Sequence, residues 1–186
     1  KTAGGAYVEA PVSGSRKPAE AGQLIAMLAG DDAAVQEVSP LFGPLCRAII
    51  PCGPAPKALQ MKIATNIFLI ATITGLAEAA SFAKGVGLDM SAWAQVVNAS
   101  QMSSDISRIK VEKLLSDDFS PQAAIANVYE TNRLVSEAAH QSGLAAPLME
   151  ACLGLYRTSM ELGLAQADMI AVIHALQEQS QIGAQD

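Results

Sequence analysis

Two groups of residues in this chain have the types and spacing to do chemistry. The first is Ser13-Gly14-Ser15, which follows a short run, Tyr7-Val8-Glu9-Ala10-Pro11-Val12, that alternates in polarity. A hydroxyl and a glycine just past a strand let backbone N–H groups approach an anion without a Cβ in the way, so the loop can hold a carboxylate. Ordinary turns share this composition, and the loop needs a partner elsewhere. That partner is Lys62, the only charge between Lys57 and Glu78, with Asn66 four residues on and so on the same face of a helix. Apolar surroundings disfavour an ammonium group, which brings the lysine pKa down toward the range where it can donate and accept a proton near neutral pH. Asn66 could hold a substrate by its amide. The bland reading of the same helix is a lysine that snorkels to the surface beside an asparagine that satisfies a buried backbone group.

The elements that must position these groups fall into two textures. From residue 6 to residue 52, short apolar runs are separated by turn residues, which predicts strands over 7–12, 23–29 and 48–50. Between the last two, Asp31 and Asp32 open a helix over 33–42 whose last turn Pro40 bends or ends. Strands so few and short do not make a stable sheet alone; they read as the last strands of a larger sheet lying before Lys1. After Gly53 the spacing predicts one long helix over 58–84, bent near Gly75 and apolar nearly all round, as a helix surrounded by other helices or by a second subunit must be. Further helices are expected over 91–99, 103–116, 121–141, 146–162 and 167–179, with Gly87, Gly143 and Gly163 as stops and Asp168 as a start signal.

Composition narrows the function. Of the 186 residues, 51% are hydrophobic and 16% charged, with a mean hydropathy of +0.27, which rules out a disordered chain. Aromatics are only 4% and alanine is abundant, a bias toward helices packed through small side chains. Twelve basic against eighteen acidic residues give a net charge of −6 with no cationic stripe, so no nucleic-acid partner is expected. The charge-free stretch 63–77 is shorter than the ~20 residues of a membrane span, so a buried helix and no membrane partner are expected. Cys46, Cys52 and Cys152 match neither a redox pair nor a zinc spacing; no metal site is expected, and a reducing cytoplasm fits them best.

The stretch from Glu9 to Leu24, Glu-Ala-Pro-Val-Ser-Gly-Ser-Arg-Lys-Pro-Ala-Glu-Ala-Gly-Gln-Leu, resembles the substrate loop of the β-hydroxyacid dehydrogenases, whose pattern runs Pro-Val-Ser-Gly and then Ala-x-x-Gly-x-Leu. Its Arg-Lys-Pro-Ala-Glu wording is similar to the branch of glyoxylate and succinic semialdehyde reductases. Gly53, Lys62 and Asn66 match that family's spacing of a glycine, a catalytic lysine nine positions on and an asparagine four further. An aspartate near the end of the helical remainder, like Asp168, extends the resemblance over essentially the whole chain. Two places depart from the pattern: Pro56 and Ala58 stand where the family usually has glycines, and Glu130-Thr131 where it has a Lys-Asp pair.

The resemblance implies a mainly α chain. Residues 1–52 would be the last strands and substrate loop of a Rossmann-type nucleotide-binding domain, and residues 53–186 an all-helical substrate-binding and dimerisation domain on one long central helix. No Gly-x-Gly-x-x-Gly follows a strand, so that first domain is expected before residue 1 and would bind most of an NADP or NAD cofactor. It further implies an oxidoreductase that interconverts a small aldehyde acid, of the glyoxylate, succinic or tartronate semialdehyde type, and its hydroxy acid, and that is inactive without the nucleotide domain. Lys62 would be the general acid/base, Ser13, Gly14, Ser15 and Asn66 would bind the substrate carboxylate and carbonyl, and Glu130 and Thr131 would lie toward the cofactor. The alternative is a non-catalytic, dehydrogenase-like helical module for dimerisation or partner binding. The apolar faces of the long helix predict a homodimer or a tetramer of dimers.

Overall fold

A computed structural model describes residues 4–183, and the chain divides between Asn66 and Ile67 into two compact units. In the first, β1 (Val8–Glu9) and β2 (Val12–Ser13) both run antiparallel to β3 (Leu24–Gly30). The pairings Val8 with Gly30, Glu9 with Ala29, Val12 with Ala26 and Ser13 with Ile25 keep one register throughout, so β1 and β2 are two halves of one strand. Pro11 interrupts it because it has no N–H to give, while its carbonyl still accepts from the Met27 N–H at 2.9 Å. On the other side β3 pairs in parallel with β4 (Cys46–Pro51). Parallel neighbours need a crossover. Here it is α2 (Asp32–Val38), which ends in a 3₁₀ turn (Ser39–Phe42) as Pro40 removes an N–H from the helical ladder.

β3 is buried on both faces, which is why it reads as an unbroken apolar run. Ala26 and Leu28 pack with Val35, Cys46, Val38 and Phe42, whereas Met27 and Ala29 pack with Ala58 and Cys52. Gly30 is required by a close approach: a Cβ there would lie 2.7 Å from the Tyr7 carbonyl oxygen. The loop after β2 contains a short helix not expected from the sequence, α1 (Arg16–Glu20), with an Arg16–Glu20 ion pair at 2.7 Å.

The long helix α3 (Lys57–Gly85) runs unbroken through Gly75. It is apolar on all sides, and beyond its buried Ile70, Ile73, Ala77 and Ala80 it leaves Phe68 76% and Phe82 68% exposed. Taken whole, rather than over the charge-free stretch 63–77, α3 is long and apolar enough to cross a membrane by length and composition, a measure that the core helix of a soluble protein also meets. The second unit continues with α4 (Met90–Ala99), α5 (Asp105–Ser116), α6 (Ile125–Gln141), α7 (Pro147–Glu161), a 3₁₀ turn (Met169–Val172) and α8 (Ile173–Gly183). Asp89 caps α4 through the Ser91 N–H, and Ser104 and Ser107 cap α5 reciprocally. Its buried residues include Ile70, Ile73, Val111, Leu114, Ile125, Val135, Tyr156 and Met169 to Ile173.

Three helix starts differ from expectation by two residues or more. α5 begins at Asp105 rather than 103, because Ser104 is its cap. Ser120-Pro121 has the form of a cap followed by a first-turn proline, yet α6 begins at Ile125, because both Ser120 oxygens accept from Lys113 Nζ, at 2.8 and 3.2 Å. The last helical segment begins at Met169 rather than 167, and Asp168 is its cap: the carboxylate accepts from the Ile170 N–H at 3.2 Å.

Candidate functional site

Within the first unit, the Glu9 carboxylate joins the strand to the helix. Glu9 is buried and its Oε2 accepts from the Leu59 N–H at 3.2 Å, meeting one of the donors that the first turn of α3 leaves without an intrahelical partner. Side chains alternate along a strand, so Glu9 and Ser13 point to the face of their register partners Ala29 and Ile25. Ala58 packs on that same face. Ser13 and the start of α3 are therefore on one side of the sheet.

Lys62 and Asn66 follow on α3, both half-buried. Burial pushes the Lys62 ammonium below its ordinary pKa, and no ion pair or side-chain hydrogen bond holds it among the described residues. The arrangement can present a proton donor whose neutral form is favoured by burial. In the loop, Ser13 and Ser15 are half-buried and Gly14 is exposed with φ at +135°. A Cβ at Gly14 would stand 2.5 Å from Leu24 Cδ2 and 3.3 Å from Pro18 Cβ, so only glycine fits. Ser15 precedes α1 without capping it by its side chain. The same unit has a cleft of about 690 Å³ lined by Gly4, Gly5, Tyr7, Gly30, Asp31 and Pro54, within the size range of sites for small organic ligands.

Glu130 and Thr131 lie on α6, in the second unit. Glu130 is exposed and pairs with Arg133 at 3.1 Å, and Arg133 also reaches Glu137 at 3.7 Å. The Thr131 hydroxyl donates to the Asn127 carbonyl at 2.8 Å. Among the described residues, neither belongs to a cationic cluster.

Sequence reasoning missed Glu9 and Lys110. Lys110 Nζ lies 2.6 and 2.8 Å from the two oxygens of Asp168, with both side chains fully buried. A signal existed: Ser107, Lys110, Val111 and Leu114 form one helical stripe, so Lys110 occupies a core position. Glu9 gave no such signal, since one acid in an alternating strand reads as a solvent-facing residue.

Residues 57–176 match the family model described as NAD-binding of NADP-dependent 3-hydroxyisobutyrate dehydrogenase, and residues 1–53 match the NAD binding domain of 6-phosphogluconate dehydrogenase. The chain belongs to the β-hydroxyacid dehydrogenase family, whose members are NAD(P)-dependent oxidoreductases.

Among relatives, 2-hydroxy-3-oxopropionate reductase of Escherichia coli is 31% identical over 94% of this chain and 60% of its own length. Glyoxylate/succinic semialdehyde reductase 2, chloroplastic, of Arabidopsis thaliana is 28% identical over 95% of this chain and 49% of its own. The solved Mycobacterium tuberculosis 3-hydroxyisobutyrate dehydrogenase superposes with a TM-score of 0.79 at 26% identity, over 91% of this chain and 60% of that one. The chain thus spans about half to three fifths of the length of the relatives it matches.

Proposed function

We propose that the full-length protein is an NAD(P)-dependent reductase of a small aldehyde acid, of the glyoxylate, succinic or tartronate semialdehyde type, and that these residues form its substrate-binding and dimerising part. The observation that carries the reading is Lys62: a half-buried amine, held below its ordinary pKa by burial, one turn before Asn66 on a helix whose first turn is fastened to the strand carrying Ser13.

In this reading the N–H groups and hydroxyls of Ser13, Gly14 and Ser15 hold the substrate carboxylate, and the Asn66 amide orients the carbonyl. Lys62 gives its proton to the carbonyl oxygen in reduction and removes it from the hydroxyl in oxidation. NADP or NAD, when bound, supplies or accepts the hydride at the carbon. Glu130 and Thr131 are assigned to the cofactor side. Most of the cofactor would be held by a nucleotide domain preceding these strands, completing their sheet as a Rossmann-type fold. The exposed Phe68 and Phe82 on α3 support a homodimer or a tetramer of dimers.

Oxidation of reduced NADP and NAD by the full-length protein, with glyoxylate and succinic, tartronate and methylmalonate semialdehydes as substrates, tests the reading. Turnover of one aldehyde acid, lost by roughly 10²-fold or more in Lys62→Ala, is expected. Silence across the panel with cofactor bound favours the non-catalytic module.

A further inference from the structure

Helix α6 has no capping side chain of its own, since its N-cap is Ala124. Its first donors are met from a distant segment: the Ile125 N–H donates to the Ala167 carbonyl at 2.9 Å and the Ala126 N–H to the Ala165 carbonyl at 3.0 Å. The segment entering α6 is tied to the same place, with the Met169 N–H on the Ala123 carbonyl at 2.8 Å and the Asp168 N–H on the Phe119 carbonyl at 2.9 Å. At the centre is the Asp168 carboxylate. One oxygen accepts from the Gln122 N–H at 2.9 Å and the Ala123 N–H at 3.4 Å, the other from the Ile170 N–H at 3.2 Å, and Lys110 neutralises both from α5. Lys110 also reaches Gln122 Oε1 at 3.4 Å.

Local sequence favours a different start for this helix, at Pro121 after Ser120. We propose that Lys110 and Asp168 are a positioning pair: the Asp168 carboxylate, whose charge Lys110 neutralises, fixes where α6 begins through its hydrogen bonds to backbone N–H groups, and through α6 it fixes the Glu130 and Thr131 surface that the proposed reductase reading gives to the cofactor. Two things follow from the geometry. Charge neutrality is supplied by Lys110, whereas register is supplied by the carboxylate oxygens that bind backbone N–H groups. The two roles are therefore separable by mutation.

The experiment compares K110M/D168N with K110M/D168A in the full-length protein. Both remove the charges, but only the asparagine keeps an oxygen to accept from backbone N–H groups. Hydrogen exchange at residues 122–126 is expected to stay within about threefold of the parent in K110M/D168N and to quicken at least tenfold in K110M/D168A, with α3 unchanged in both. In steady state, the KM for the nicotinamide cofactor is expected to rise about tenfold in K110M/D168A only, while the KM for the aldehyde acid stays within threefold. A merely structural pair would lower the folded fraction and leave both KM values alone.

Equal exchange in the two double variants overturns the proposal, as does a cofactor KM that ignores the difference between them. If the parent turns over no aldehyde, the reductase reading has failed and the exchange comparison still decides the register. Should K110M/D168A not fold, Q122P removes the N–H held at 2.9 Å and leaves the ion pair intact; exchange at residues 123–126 as slow as in the parent would then overturn it.

Discussion

Glu9 on β1 accepts the Leu59 N–H of α3 at 3.2 Å, so the residue that anchors the first turn of the lysine-bearing helix sits four positions before the Ser13 of the substrate loop. Because Glu9 is buried, removing its oxygen leaves that N–H without an acceptor, a loss of about 1–3 kcal/mol. Thermal unfolding of Glu9→Ala should show that loss, and Glu9→Gln, which keeps an acceptor oxygen, should recover more than half of it. Equal losses in the two variants would mean that the charge rather than the hydrogen bond matters.

Lys62 makes a pH prediction of definite sign. Its pKa in the folded protein lies below the ordinary lysine value of about 10.4, so between those two points the unfolded chain binds more protons and stability rises with pH. The penalty for charging the buried amine is fully present below the lowered pKa and gone above about 10.4. Lys62→Met should therefore be more stable than the parent at neutral pH, with the gap closing in alkali, as chemical denaturation at a series of pH values would record. If Lys62 is the proton donor, kcat/KM for reduction falls as pH rises through the lowered value, whereas that for oxidation climbs through it.

Gly14 should resist substitution. Alanine would have to hold φ near +135° and push against Leu24 and Pro18, a strain of about 1–3 kcal/mol. In the full-length enzyme Gly14→Ala should raise the KM for the aldehyde acid more than tenfold while the KM for the nicotinamide cofactor stays within about twofold. A normal substrate KM would show that the loop does not touch the carboxylate.

Glu130 pairs with Arg133 at 3.1 Å, so its charge is met within α6. Both side chains are more than half exposed, so the pair itself adds little stability. Glu130→Lys should lower the KM for the nicotinamide cofactor by roughly tenfold, equivalent to about 1.4 kcal/mol, and leave the KM for the aldehyde acid within about threefold. An unchanged KM for both NADP and NAD would remove Glu130 from any role toward the cofactor.

What the sequence disclosed follows the range of the forces involved. The extents of α3 and α4, the strands and the glycine stops were legible because period, proline and glycine act within a few residues. The loop with Ser13 and Gly14, and Lys62 with Asn66, were legible as motifs. The start of α6 was not, because Ser120 is taken by Lys113 and the helix is capped by carbonyls from Ala165 and Ala167, groups that no local window contains. Helix α1 was hidden for a different reason: Arg16 to Glu20 is too short for any periodicity to show. Glu9 and Lys110 looked like surface charges, since burial of a charge depends on a partner 50 or 58 positions away.

The constant register across Pro11 sets a rule for how this chain can change length. Glu9 and Ser13 share a side of the sheet only because an even number of steps separates them, and β3 continues past the proline without a bulge to absorb an extra residue. One residue gained or lost between them would turn Ser13 to the opposite side while Glu9 kept its hold on α3. Viable insertions and deletions should therefore come in pairs within residues 10–12, whereas the helix and turn that follow, up to Gly22, can vary by single residues.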